Sequence, residues 1–293
     1  MERDRQRELQ FPLRQLSERI AACLFTRGDV KPSDVTIPLL VSRRHFREKG
    51  ARDEIGLLGS RLGLVARTGN VLFTPGERPP LPEGVRAALT VDRAGEAAAE
   101  TAGLLHLDGN AHREGFGRLA EKGVLAASCE DASRLCYRSS TGELELGGWD
   151  LSFRAVTPKT EAFSLEPGAQ ARGRFATVRA DGTFGVVCVA AMDGRDLARS
   201  ERILVLHLTR LLATGMTFSD AEMSVQEAFG RLPLLLRRGT ADVRLARDLA
   251  GFALYALKND GTRLRKLPIG SSDGQSALAL STDIAMAYEI VRL

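Results

Sequence analysis

From residue 137 onward the apolar residues change their spacing, from the period of about 3.6 of a helix to the period of 2 of a strand, and this change limits the fold more than any other feature. GELELGGWDLSFRAVT reads as a hairpin, with strands over 143–146 and 149–157 and a turn at Gly147-Gly148. GRFATVRADGTFGVVCVAAMDG supplies two strands around Asp181-Gly182. ERILVLHLT (201–209) sets Ile203, Val205 and His207 opposite Leu204, Leu206 and Leu208. Further short strands run to the C-terminus, with Asn259-Asp260-Gly261 as a hairpin turn. Within this half, helix is expected only around 219–229. Many short strands at even spacing imply a sandwich or barrel.

The first half has a different pattern. Leu13, Leu16, Ile20, Cys23 and Leu24 form one helical stripe, with Pro12 in the first turn and Gly28 at the C-terminal cap. A strand over 34–42, a helix over 52–63 and a short strand over 64–67 follow. The proline-rich stretch 74–84 reads as a loop. Beyond it come a strand over 86–93, an Ala-rich helix over 95–105 and a helix over 113–123 closed by Gly123. Alternating strands and helices predict a small parallel sheet with flanking helices. The expected fold class is α+β, a small α/β layer followed by an antiparallel β-sandwich. The expected domains are an amphipathic helix over 1–28, an α/β domain over 29–136 and sandwich over 137–293.

Composition narrows the function classes. The 293 residues are 44% hydrophobic and 27% charged, as in a folded globular chain. A net charge of +4 is too small for a protein that covers a long stretch of phosphate backbone, so no nucleic-acid partner is expected. The basic excess lies within the first 52 residues, where interleaved acids (Glu2, Asp4, Glu8, Glu18) favour a solvated helix face. Cys23, Cys129, Cys136 and Cys188 contain no Cys-x-x-Cys pair and read as reduced thiols. MERDRQRELQ lacks the apolar core of a signal peptide, and no apolar run is long enough to span a membrane. A cytoplasmic location without membrane contact is the expectation.

No motif yields a catalytic constellation. Gly270-Ser271-Ser272-Asp273-Gly274 fits Gly-x-Ser-x-Gly, but a strand follows it and every histidine precedes it, which favours a loop. Gly115-Phe116-Gly117-Arg118-Leu119-Ala120 imitates a dinucleotide fingerprint, yet polar NAHRE stands where the strand is needed. His106 and His112 are six apart and share neither a helical nor a strand face. Glu201, Glu222, Glu227 and Asp193 are acids that a glycosidase would need in a pair, but their spacing selects none. Trp149, directly after Gly147-Gly148, is the one candidate carbohydrate contact. Catalytic, cofactor and metal residues are expected to be absent.

Several stretches resemble a known region. RGDVKPSDVTIPLLVS (27–42), TGELELGGWDLSFRAVTPKTEA (141–162), SERILVLHLTRLLATGMTF (200–218), GRLPLLLRRGTADVRL (230–245), LYALKNDGTRLRKLPI (254–269) and YEIVRL (288–293) are similar to the part that follows the catalytic barrel in bacterial glycoside hydrolases of the beta-galactosidase type. In those enzymes a (β/α)₈ barrel carries two catalytic Glu residues, and an α/β domain and β-sandwich domains serve in assembly and in buttressing it. The resemblance covers 27–42 and 137–293, and 43–136 by architecture. Ala213-Thr214-Gly215-Met216 departs from it, because the family favours Asn in first place.

A barrel of this kind takes about 250 residues. The β-rich portion leaves 136 residues, so a barrel is not expected here and no residue inherits a catalytic Glu. The resemblance implies a non-catalytic accessory or assembly region, as a fragment or as one piece of a split enzyme. Its partners would be a catalytic barrel or a second copy. The alternative is a free-standing carbohydrate- or protein-binding module.

Overall fold

A computed structural model describes residues 11–48, 56–90, 101, 103–108, 112–147, 152–220, 223 and 225–293. The chain divides into two units, Met1–Val30 with Ser152–Leu293, and Lys31–Leu151. This differs from the expected boundaries at 28 and 136. Tyr137, on strand β6 (Cys136–Arg138), packs into the α/β core, and the N-terminal helix α1 (Phe11–Ala21) contacts strand β13 (Arg202–Leu208). The fold class is α+β: mostly antiparallel sheet, with a small parallel sheet and few helices.

The smaller unit is built on β1 (Leu39–Ser42), β2 (Asn70–Phe73), β3 (Ala87–Thr90) and β4 (Leu105–Asp108), parallel in the order β2-β1-β3-β4. β1 is buried on both faces, as a parallel sheet requires. Leu39 and Val41 meet Leu62, Val65, Phe116 and Leu119, from helices α3 (Gly56–Val65) and α4 (His112–Glu121), while Leu40 meets Phe73 and Ala88. Three expectations change here. Helix α3 runs on through Val65, so 64–67 is not a strand. Arg43–Glu48 is a short helix α2, whose His45 N–H donates to Ser42 Oγ at 3.1 Å. Leu105 begins β4, and most of the expected helix over 95–105 lies outside the described residues. Antiparallel β5 (Glu130–Asp131), β6 and β7 (Leu144–Leu146) complete the unit.

The larger unit is a two-layer antiparallel sandwich. One layer runs β10 (Gln170–Arg172), β11 (Ala176–Asp181), β16 (Thr240–Leu245), β20 (Gln275–Ser281), β19 (Gly270–Ser272). The other runs β18 (Arg263–Leu267), β17 (Phe252–Leu257), β21 (Ala287–Arg292), β13, β12 (Gly185–Ala191), β9 (Thr160–Leu165), β8 (Phe153–Val156). Alternate residues face inward: Val178, Ala180, Val243, Leu245, Leu278 and Leu280 pack against Phe163, Val187, Val189, Ile203, Val205 and Ile290. Tyr288 is fully buried among them, and its hydroxyl donates to Ser281 O at 2.7 Å and accepts from Ser281 N–H at 3.0 Å. Between β13 and β16 the chain leaves the sandwich as β14 (Leu211–Phe218) and β15 (Gln226–Leu236), a separate two-stranded sheet. The helix expected around 219–229 is therefore overturned from Gln226 onward, because those residues pair with β14.

His207 continues the inward row of Ile203 and Val205. It is 1% exposed, and its Nδ1 is buried without a hydrogen-bond partner. Burial lowers its pKa from 6.5 to about 4. The unfolded chain therefore takes up this proton first as pH falls. The contribution of His207 to stability is complete above pH 6.5, declines toward the folded value near 4 and is flat below it. The total loss is on the order of 3 kcal/mol. Urea unfolding between pH 7 and pH 4 should show wild type losing that much relative to His207→Leu, and parallel curves for the two proteins would refute it.

Candidate interaction surface

The polar and exposed features are buried acids and one exposed hairpin, and the buried acids come first. Glu161, on β9, is fully buried. Its Oε1 accepts from the N–H groups of Arg174 (2.7 Å) and Phe175 (2.8 Å), and its Oε2 from that of Ala176 (2.8 Å). Burial pushes its carboxyl up against the pull of these three donors. A side chain at Gly173 would run into the carboxylate, so only glycine fits there. A buried glutamate with a raised pKa is a usual mark of catalysis. This one is sealed from solvent, and both its oxygens hold backbone.

The other buried acids are likewise committed. Glu289 Oε1 accepts from Arg202 Nε at 2.7 Å and Oε2 from Arg263 Nε at 2.8 Å, while the Arg263 guanidinium lies 4.3 Å from the Tyr255 ring centre. Burial works upward on Glu289, but the bonds from Arg263 and Arg202 outweigh it and hold the carboxyl below the usual range. Glu143, in the smaller unit, accepts from Lys31 N–H at 2.7 Å. Asp29 accepts from Arg27 Nε (2.9 Å) and Nη2 (2.5 Å) and from Thr160 Oγ1 (2.7 Å). Arg27 Nη1 also donates to Ala191 O at 2.6 Å, which ties the segment after α1 to β9 and β12. Buried Cys23 and Cys188 lie beside this latch, and burial raises both thiols.

The hairpin β14–β15 is the exposed feature. Its root is fixed: Arg237 N–H donates to Arg210 O at 2.8 Å, and the Thr209 and Thr282 hydroxyls donate to Arg237 O. Leu211 and Ala213 are buried there. Farther out the register places Leu212 opposite Leu235 and Met216 opposite Phe229, with shifts beside Ala213/Thr214 and Thr217/Phe218. Gly215 and Gly230 both take left-handed φ, +76° and +70°. A Cβ on Gly230 would stand 2.8 Å from Thr214 O, so this close approach requires glycine. Val225 is 57% exposed, Phe229 41%, Leu232 67% and Leu235 54%.

The structure does not gather the sequence-derived candidates into one place. Trp149 and Glu222 lie outside the described residues. Glu227 is exposed at a register shift of β15. Glu201 pairs with Arg195 and Arg292 at the surface, and Asp193 accepts from Ser200 Oγ and Glu201 N–H. Gly270–Ser272 is β19, joined to β20 by a hairpin turn, so Ser272 sits on no nucleophile elbow. Gly115 and Gly117 lie inside α4. His106, on β4, bonds Thr101 Oγ1 at 2.8 Å. Among the described residues, no three His, Cys, Asp or Glu side chains could hold a metal ion together, and no helix is long and apolar enough to cross a membrane. Sequence reasoning missed the Arg27–Asp29–Thr160 latch and the Glu161 clip. Both join residues far apart in the chain, and only Gly173 beside the clip leaves a trace in sequence.

Replacing Asp29 removes the acceptor of a partly buried guanidinium. Asp29→Ala should cost about 2 kcal/mol of stability, the order expected for charge-assisted bonds lost at such a site. Amide exchange should rise over 22–30 in that variant and stay unchanged over β16 and β20. Equal unfolding midpoints for variant and wild type would refute the latch. Comparison of the chain with protein-family models, curated proteins and solved structures gives no match.

Proposed function

We propose that this chain is a non-catalytic accessory and assembly region of a glycoside hydrolase, whose catalytic barrel is a partner. One observation carries this reading most directly. Each buried carboxylate among the described residues (Asp29, Glu143, Glu161 and Glu289) is spent on arginine or backbone donors that hold the fold. A glycosidase acid must instead keep a transferable proton facing a concave, accessible site, with a second carboxylate across the scissile bond. The resemblance of 27–42 and 137–293 to post-barrel regions supports the same reading. So does the architecture, a small α/β unit with an antiparallel sandwich. The free-standing protein-binding module is the second reading, favoured by the exposed apolar side chains of β15 and the residue before it, Val225.

Two measurements test the proposal. The purified chain, assayed with a panel of nitrophenyl glycosides, should turn over none above background. Turnover that disappears in Glu227→Gln or Glu161→Gln would overturn it. A barrel encoded in a neighbouring reading frame should copurify with the chain when both are expressed. Failure to copurify would favour the free-standing module.

A further inference from the structure

We propose that β14 is a self-pairing edge, through which two copies of this chain join their hairpins into one four-stranded antiparallel sheet. The inference does not depend on the glycoside-hydrolase reading.

Three features of the hairpin lead to it. First, a two-stranded sheet is marginal in water, whereas a sheet of three or more strands with an apolar face is not. Among the described residues β14 and β15 pair only with each other. Second, the two edges differ. β15 contains Glu227, Arg231 and Pro233, and Leu232-Pro233 falls in a register shift, so this edge is guarded. β14, LLATGMTF, has no charge and no proline. An uncharged strand whose outer part, Thr214–Phe218, is not buried is a template for another strand. Third, the strand is self-complementary about its centre. A two-fold axis at Gly215 sets Leu212 against Phe218 of the second copy, Ala213 against Thr217 and Thr214 against Met216, with no like charges opposed. Gly215 puts no side chain at the axis.

Area shows why edge pairing, and not face packing alone, is required. Packing the exposed parts of Val225, Phe229, Leu232 and Leu235 face to face would bury about 800 Å² for two copies, against roughly 1,200 Å² for a stable interface. Pairing of β14 adds main-chain hydrogen bonds and brings Leu212, Met216 and Phe218 of both copies into one row. It also keeps the two Arg231 side chains on the outer strands, three strand spacings or about 14 Å apart.

Sedimentation velocity of the full chain over a dilution series tests this. Wild type should sediment at twice 31.7 kDa. Leu212→Lys and Phe218→Glu should each weaken the dimer at least tenfold, and the double variant should recover it, because each lysine then faces a glutamate of the other copy. Leu264→Lys, on the exposed edge strand β18, is the control and should remain dimeric. Circular dichroism of every variant should match wild type. A wild-type monomer throughout the series would overturn the proposal, as would single variants that dimerise normally or a double variant that fails to recover while folded. A monomer that binds a catalytic barrel, and loses it in Leu212→Lys, would assign the edge to the barrel and also overturn self-pairing. Failure to bind a barrel, with the dimer intact, would count only against the accessory reading.

Discussion

Burial of both faces at the centre of the seven-stranded layer, over β12 and β13, is the constraint on which the rest of the larger unit depends. In the five-stranded layer, β16 and β20 alternate strictly between buried and exposed residues, so one covered face suffices. β12 and β13 do not alternate: Val187 and Val189 face the sandwich core, but Cys188 and Ala190 on the opposite face are buried as well. That second face needs a cover, and the turn carrying Cys23 and Leu24 after α1 lies there. The Arg27–Asp29–Thr160 latch then becomes intelligible. A short helix gains too little by itself to stay in place, and a charge-assisted bridge to β9 and to Ala191 O fixes where it ends.

The same economy governs the carboxylates. A buried acid is costly unless each oxygen finds a donor. Glu161 finds three in consecutive backbone N–H groups, and Glu289 finds two arginines. A site of chemistry leaves a charge underpaid and exposed to a ligand, whereas here the donors close around each acid. The hairpin, where apolar side chains stand in water, is the part of the unit that departs most from the rule of burial.

Much of the sandwich was legible in the sequence because antiparallel strands with one covered face write their geometry as alternation. The inward row Ile203–Val205–His207 and the turns at Asp181-Gly182 and Asn259-Asp260-Gly261 follow directly from it. The smaller unit was less legible. A strand buried on both faces has no period to read, so the continuous apolar run over 34–42 located β1 but not its bounds, and LVAR at the end of α3 looks the same whether it ends a helix or begins a strand. Domain membership was not legible at all for 11–30 and 137–147, because it depends on what packs against Cys23 and Tyr137. The latch and the clip are contacts across sequence separations of 131 and 13 to 15 residues. No local pattern announces them.

Within the hairpin only Gln226–Phe229 was misread, as helix, and the reason bears on its role. Val225, Phe229, Leu232 and Leu236 follow one another at intervals of four, three and four, which is the apolar stripe of a helix. As a strand, that spacing cannot gather on one face, since successive residues alternate. Gly230 and Pro233 oppose the helix, and pairing with β14 decides for the strand. The helical stripe is then split: Leu236 turns toward the buried root beside Leu211, while Phe229 and Leu232 are left toward water. A segment whose apolar pattern does not match its secondary structure cannot bury that pattern within its own chain. Its exposed side chains follow from the mismatch between sequence period and strand period.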